Sequence, residues 1–457
     1  MSESQVDQLP LVSALRENLN ALGYTTLTPI QQQSLPVLLK GQDLIGKAKT
    51  GSGKTVAFGI GLLHRLDNQR SATQGLVLCP TRELADQVSR ELRKLARYRP
   101  NTKILTLCGG QPIGPQIGSL EHGVDIVVGT PGRIQDHLRK GTLSLEGVHT
   151  VVLDEADRML EMGFAEAIST ILGQTPPTRQ TLLFSATYPE AIAELSAIYL
   201  NNPATVEIED SGTQTLIQQR FYRVDKQQKQ QALLQVLSTF QPESCLIFCN
   251  TKNTCEELMQ FLQQYRYSSA ALHGDLDQPT RDRVLVKFSG RSLRILIATD
   301  VAARGLDVDE LPCVISYDLT RDPEVHIHRV GRTGRAGNKG LAISLIADSE
   351  TYKLETISEL QNANHRVAEL PPGRTDYVPS KPAMVSLCIS GGRKNKLRPG
   401  DILGALTGKN GIAGSQVGKI QIFDFISYVS VRREAVSSAL DKLADNIKGK
   451  RYKVRRC

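Results

Sequence analysis

The chain has 457 residues, 40% of them hydrophobic and 22% charged, with a formal net charge of +8. That length suits about three globular domains, and no apolar run approaches the roughly 20 residues of a membrane span. The polar stretch from Met1 to Pro10 lacks the apolar core of a secretory signal, so the expected setting is the cytoplasm, with no membrane partner.

The eight cysteines fit that setting. Cys79, Cys108, Cys245, Cys249, Cys313 and Cys388 sit in or beside apolar strand-like runs and read as buried free thiols rather than a disulfide framework. Cys245, Cys249 and Cys255 lack the paired spacing of a zinc site. The charge is unevenly spread. Residues 383–457 hold 15 Lys+Arg against 5 Asp+Glu, a net of +10, whereas residues 1–382 hold 40 against 42. A basic surplus confined to one end is the footprint of a nucleic-acid-binding appendage. Apolar strand patterns run through the same segment, which a solvated basic tail does not explain.

In chain order, the first informative stretch is Ala48-Lys49-Thr50-Gly51-Ser52-Gly53-Lys54-Thr55. It reads as a phosphate-binding loop, one residue short of the strict pattern because Ala48 stands where Gly is usual. Gly51 and Gly53 let the backbone approach phosphate, and the loop N–H groups make a nest for anions. Lys54 would reach the β- and γ-phosphates of ATP, and Thr55 would give its hydroxyl to Mg²⁺. The residues from Val56 to Leu63 can open a helix whose positive end faces the phosphates.

From Gly75 to about 207, short apolar runs at 76–79, 104–107, 125–128, 151–153 and 181–184 alternate with segments of helical spacing such as Arg82 to Tyr98. Such runs are strands buried on both faces, which predicts a doubly wound parallel sheet over residues 1–207. The pattern restarts at 244–248, 269–272, 294–297, 313–316 and 341–345 and predicts a second α/β lobe over 208–370, without a phosphate loop of its own. Residues 371–382 are rich in Pro and polar residues and read as a linker. Over 383–457 the order is strand, helix, strand, strand, helix, strand, at 384–389, 399–406, 417–422, 426–431, 435–444 and 452–455. That is the split βαβ order of RNA-recognition folds, so the third domain is expected to be small, α+β and RRM-like.

The chemistry sits at strand ends. Asp154-Glu155-Ala156-Asp157 follows Val151-Val152-Leu153 directly, and ligands of open α/β sheets bind at the carboxyl ends of the strands. Asp154 is the natural Mg²⁺ partner of Thr55, and Glu155 can orient or deprotonate the attacking water. Phosphoryl transfer also needs positive charge at the developing negative charge. His328 to Arg335 offers it through Arg332 and Arg335, which would share a face if helical. Coming from the second lobe, they would complete the site only on lobe closure. The competing use of that segment is a basic RNA-facing helix.

These stretches together resemble a DEAD-box RNA helicase over about residues 20–350. The matching motifs are Thr28-Pro29-Ile30-Gln31, the loop at 48–55, Pro80-Thr81-Arg82-Glu83-Leu84-Ala85, Gly109-Gly110, Thr130-Pro131-Gly132-Arg133, Asp154-Glu155-Ala156-Asp157 and Ser185-Ala186-Thr187. In the second half they are Phe248 to Thr251, His273-Gly274-Asp275, Gln278 to Arg281, Ala298 to Asp307 and His328 to Arg335. The resemblance implies two RecA-like lobes. It makes Gln31 the reader of the adenine edge and gives Asp307 a part in holding nucleotide. It makes Ser185 and Thr187 the link between hydrolysis and strand separation. RNA backbone contacts would come from Pro80, Thr81, Arg82, Gly109, Gly110, Thr130, Pro131, Gly132, Arg133, Thr299 and Arg304. Such contacts fix position rather than sequence. The family usually packs an aromatic ring on adenine from well upstream of that Gln; here the first aromatic is Tyr24.

The appendage carries Arg398 to Gly408 and the turn Gly391-Gly392-Arg393-Lys394, which look like those of bacterial DbpA-type helicases. That resemblance implies action on 23S ribosomal RNA, at a hairpin near the peptidyl-transferase centre, and large-subunit precursor particles as partners of a monomeric enzyme. The usual RRM stacking aromatics are mostly missing. Ser386, Cys388 and Ser390 share one face of the first strand, and Tyr428 is the only aromatic on its face with Ser430 and Arg432. Structured RNA would then be held through phosphates, 2′-hydroxyls and base edges, by Arg393, Lys394, Lys396, Arg432, Lys448, Lys450 and Arg451 with a minor contribution from Tyr428. The alternatives to a local RNA-unwinding ATPase are an ATP-gated RNA clamp and, less favoured, a DNA helicase.

Overall fold

The computed structural model describes residues 5–457 apart from 49–50, 68, 71, 189, 209–216, 304–310, 335–338 and 375. The chain divides near residue 213 into two compact units.

The first unit is built on a seven-stranded sheet: β1 (Leu44–Lys47), β2 (Gly75–Leu78), β3 (Ile104–Leu107), β4 (Ile126–Gly129), β5 (Thr150–Asp154), β6 (Gln180–Ser185) and β7 (Ala204–Glu207), in the order β3-β4-β2-β5-β6-β1-β7. Every pairing is parallel. β2, β4, β5 and β6 are buried along their whole length, as a sheet covered by helices on both faces requires. One core packs helix Lys54–Arg65 and helix Arg82–Leu95 against one face through Phe58, Leu62, Val88 and Leu92. The other face holds Ile134, Met159, Ile168 and Ile192 from the helices that follow β4, β5 and β6.

The second unit repeats that topology strand for strand. Its strands are β8 (Ile217–Arg223), β9 (Cys245–Cys249), β10 (Ser269–Leu272), β11 (Ile295–Thr299), β12 (Cys313–Ser316), β13 (Gly340–Ile346) and β14 (Val367–Ala368), ordered β10-β11-β9-β12-β13-β8-β14 and again all parallel. The four strands absent from the sequence expectation are β1, β7, β8 and β14. β1 is broken by Gly46 and ends in Lys47, β8 carries Gln218, Gln219 and Arg220, and β7 and β14 are short edge strands. None of them presents a continuous apolar run.

The same unit ends in a four-stranded antiparallel sheet, β15 (Met384–Ile389), β16 (Val417–Ile422), β17 (Ser427–Arg432) and β18 (Val454–Arg456), ordered β16-β17-β15-β18. Helices Pro399–Thr407 and Val436–Asp445 cover one face, with Ile402, Leu406, Ala439 and Leu443 packed on Leu387, Val429 and Val431. The opposite face meets helix Gln278–Ser289 of the second lobe. There Val286 packs on Cys388 and Tyr428, the hydroxyls of Ser292 and Ser386 lie 2.6 Å apart, and Gln421 donates to Ser289 at 2.8 Å. Residues 371–382 contain no helix or strand among the described residues, yet they are tied to the second lobe. The Arg294 guanidinium donates to the Ser380 carbonyl, the Arg374 N–H donates to the Ser238 hydroxyl, and Tyr377 lies against Tyr267.

Candidate functional site

Because the first sheet is parallel, all its carboxyl ends lie on one edge, and the strand order sorts the motifs along it. β1, β6 and β5 are adjacent and carry the loop from Ala48, Ser185 at the end of β6, and Asp154 at the end of β5. β2, β4 and β3 are adjacent on the other half and lead into Pro80–Arg82, Thr130–Arg133 and Gly109–Gly110. One half of the edge therefore holds phosphate chemistry and the other holds the residues expected on RNA.

The loop is hung between β6 and the helix it opens. The Ala48 N–H donates to the Ser185 carbonyl, and the Lys54 ammonium, itself buried, donates to the Ala48 carbonyl at 2.8 Å. Gly53 caps helix Lys54–Arg65 in the left-handed region at φ +95°. A side chain there would be strained and would meet the Gln31 amide. Gln31 is buried beside this turn. Its Nε2 donates to the Gly53 carbonyl at 3.1 Å, and its Oε1 accepts the Thr28 N–H at 2.9 Å. The residue expected to read adenine thus also braces the phosphate loop, with one donor and one lone pair to spare. Among the described residues, the buried hydroxyls of Ser52 and Ser185 have no partner. Unmet polar groups beside a positive-φ loop suit a polyanionic ligand. Lys49 and Thr50 lie outside the described residues.

Asp154 is 3% exposed. Burial pushes its carboxyl up to about 7, with Lys54 pulling it down and Glu155 pushing it up. Positive charge nearby favours the ionised form of a carboxylate that burial disfavours. Glu155 sits at φ +53° as the cap of the short helix Ala156–Glu161. A non-glycine residue held there is strained backbone of the kind found where a side chain is aimed by the fold. Asp157 has a part that no motif role assigned to it. Its Oδ2 accepts the Thr187 hydroxyl at 2.9 Å and the N–H groups of Thr187 and Ala186 at 3.1 and 3.3 Å. The fourth residue of the acidic quartet is thereby wired to Ser185-Ala186-Thr187, and its spacing from Asp154 was the available signal.

On the other half of the edge, Thr81 caps helix Arg82–Leu95 by accepting the Leu84 N–H. The Arg82 guanidinium lies across Gly110, whose φ of +72° and lack of a side chain make room for it. Thr130 stands at the N-cap position of helix Pro131–Arg139 without a side-chain capping bond, and Arg133 donates to Gln116 at 2.9 Å and to the Gln111 carbonyl at 3.0 Å. Gln116 also engages His137 and the Cys108 carbonyl. It is a positioning residue for Arg133 that no motif marks. Gly109 and Gly132 face open space. Tyr24 is committed to Glu91 at 2.6 Å and packs on the first core.

In the second lobe, Thr299 ends β11 and Asp300 opens the next helix. Arg329 is 1% exposed and clamps the strand ends: it makes a two-bond fork to Asp300, donates to Asn250 and to the Asp318 carbonyl, and lies over the Phe248 ring. Arg332 does not lie on a helix, and its expected pairing with Arg335 falls outside the described residues. The helix Pro323–Val330 is capped by Gly331, and Arg332 falls in the following turn, nearly buried. Arg304, Asp307 and Arg335 lie outside the described residues.

In the third domain Arg393, Lys394, Lys396, Arg432, Lys448, Lys450 and Arg451 are all exposed. Tyr428, expected to touch RNA, is instead 5% exposed, packed on Val286 and edge-on to Phe423. Its face of the sheet is filled by the second lobe. Among the described residues, no cluster of His, Cys, Asp and Glu is arranged to hold a metal by itself, and no helix is long and apolar enough to cross a membrane.

Residues 28–195 match the DEAD/DEAH box helicase family, and 228–337 match the helicase conserved C-terminal domain. The chain is 51% identical over 439 residues to the ATP-dependent RNA helicase DbpA of Escherichia coli, covering 96% of each, and 43% identical over 356 residues to the ATP-dependent RNA helicase CshA of Listeria monocytogenes, covering 78% of this chain and 68% of that one. A solved structure of S. cerevisiae Dbp5 bound to RNA and ADP BeF3 overlays with a TM-score of 0.74 at 28% identity, covering 81% of this chain and 96% of that one. With the two parallel lobes and the ordered motif edge, these place the chain in the DEAD-box ATP-dependent RNA helicases. The third sheet narrows it further. Residues 386–456 match the DbpA RNA binding domain, so the chain is a helicase of the DbpA type.

Proposed function

We propose that this helicase opens short RNA duplexes locally and is directed by residues 383–457 to structured 23S ribosomal RNA on large-subunit precursor particles. The observation that supports this most is the pairing of an edge carrying Lys54, Asp154 and Glu155 with a DbpA-type domain whose basic residues remain exposed while its sheet face is covered. In this reading the first lobe holds ATP with residues 48–55 and Gln31. When bound, Mg²⁺ held by Thr55 and Asp154 would neutralise phosphate charge during transfer. Glu155 positions and deprotonates the attacking water. Lys54, Arg332 and Arg335 supply positive charge to the transition state, and Asp307 helps keep nucleotide in place. Asp157 transmits the outcome to Ser185 and Thr187. Arg82, Gly109, Gly110 and the Thr130–Arg133 turn, with Thr299 and Arg304, track the RNA backbone without reading sequence. The work is cytoplasmic.

The test is ATPase stimulation against a panel of ribosomal RNA fragments, with DNA of one matching sequence alongside. Strong stimulation by one hairpin-containing 23S fragment and none by DNA is expected. Equal stimulation by every RNA removes the targeting, and stimulation without unwinding of a short duplex turns the enzyme into an ATP-gated clamp.

A further inference from the structure

The third domain must recognise RNA without the sheet face on which RNA-recognition folds usually stack bases. Ser386, Cys388, Tyr428 and Ser430 on that face are all buried. Of the remaining aromatic rings in the domain, Tyr452 packs on the core and Phe423 is half-buried against Tyr428. Phe425 is different. It sits in the hairpin between β16 and β17 and is 72% exposed. It is the most exposed large apolar side chain among the described residues.

Its surroundings indicate what would cover it. The basic turn after β15 is stitched to this hairpin through the backbone: the Arg393 N–H donates to the Phe423 carbonyl at 2.8 Å, and the Lys394 N–H donates to the Asp424 carbonyl at 2.9 Å. The Arg393 guanidinium reaches Asp424 at 3.3 Å, which aligns it along the hairpin. Two exposed cations are therefore anchored through their backbone to the hairpin that carries the exposed ring, with Asp424 paired to one of them. A protein partner's apolar pocket would not call for that positive fringe. An unpaired base with its flanking phosphates matches both parts, since every base has a face to stack and every link a charge to neutralise.

We propose that Phe425 is a stacking platform for an unpaired base of a structured RNA, with Arg393 and Lys394 holding the adjoining phosphates. This rests on the RNA-targeting reading of the third domain. It adds to that reading the chemical feature sought, a single-stranded base beside a helix rather than a continuous duplex.

The chain contains no tryptophan, so Phe425→Trp in the full-length protein carries a single reporter. Its emission should be quenched saturably by a 23S hairpin fragment with unpaired loop bases, and little by a blunt RNA duplex of equal length. Phe425→Ala should raise Kd for the hairpin fragment by about 5- to 100-fold, leave Kd for the duplex unchanged, and be restored by Phe425→Tyr. Phe425 lies outside the core, so the melting temperature should not move. Tight hairpin binding measured by anisotropy with no quenching, or no effect of Phe425→Ala, overturns the stacking role and leaves the RNA-targeting reading standing. Failure of the wild-type protein to prefer the hairpin fragment over the duplex overturns both.

Discussion

At the scale of single residues, the ATP edge makes separable demands on Lys54, Asp154 and Glu155. Lys54→Ala should lower ATP turnover by about 100-fold or more, the usual loss when a charge donor to a transition state is removed, while RNA still binds. Near wild-type turnover at saturating Mg²⁺ and ATP would sink the loop assignment. Glu155→Gln keeps Asp154 and Thr55 and removes only the carboxylate at the water, so hydrolysis should fall by about 10²- to 10⁴-fold with nucleotide affinity retained. Labelled RNA should then leave slowly while ATP is present. Asp154 adds a pH dependence. Its carboxyl is raised to about 7 by burial, so the folded protein holds a proton that the unfolded chain releases near the ordinary carboxylate value. That contribution to stability is fully present at low pH and is lost as pH rises towards 7. Binding runs the other way, because a cation needs the ionised form. The apparent affinity for Mg²⁺–ATP should weaken as pH falls below about 7, and raising Mg²⁺ should move the inflection lower. A profile flat from pH 6 to 8 at subsaturating Mg²⁺ would contradict this.

At the scale of elements, the carboxyl edge matters more than any one strand. The helix Ala156–Glu161 leaves β5 through a strained residue, and Asp157 on it grips the chain leaving β6 with three accepted hydrogen bonds. Asp157→Ala takes the shared acceptor away from the half-buried donors of Ala186 and Thr187. Each buried group left unpaired costs about 1–3 kcal/mol, so the melting temperature should drop. The more telling expectation is functional. If Asp157 couples the acidic quartet to Ser185-Ala186-Thr187, the variant should unwind fewer base pairs per ATP hydrolysed than wild type at matched turnover. An unchanged ratio would reduce Asp157 to a structural brace. Gln116 holds Arg133 in a comparable way, through Arg133, His137 and the Cys108 carbonyl at once.

At the scale of the whole molecule, charge and packing pull the third domain into two roles. It carries a net of +10, yet it also covers Val286 and the end of helix Gln278–Ser289 with its sheet face. Deleting 383–457 would uncover that apolar surface as well as remove the charge. A cleaner test keeps the domain and replaces Arg393, Lys394, Lys396 and Lys448 by Gln. RNA affinity should fall and its logarithmic salt dependence should flatten by about 0.7 to 0.9 for each phosphate no longer neutralised, while ATPase activity at saturating RNA survives. If preference for the hairpin fragment is unchanged in that variant, targeting lies in the lobes and not in the basic turn.

Much of this was legible in the residues themselves. Parallel strands buried on both faces must be apolar throughout, so β2, β4, β5, β6, β9, β11, β12 and β13 announce themselves as continuous runs. Loops that approach phosphate must carry Gly, Lys and Thr at fixed spacing. The split βαβ order of the last domain was written in alternating apolar patterns. What the residues could not show was decided by neighbours distant in the chain. β1, β7, β8 and β14 are strands only because a sheet supplies their hydrogen bonds, and Arg332 lies in the turn whose carbonyl accepts the distant Leu311 N–H. Asp157 finds Thr187 because β5 and β6 are adjacent. Tyr428 looks like an RNA contact in sequence because alternation places it on the open face of its sheet. Only the packing of helix Gln278–Ser289 against that face buries it, since a pleated strand specifies which side a residue faces but not what lies opposite.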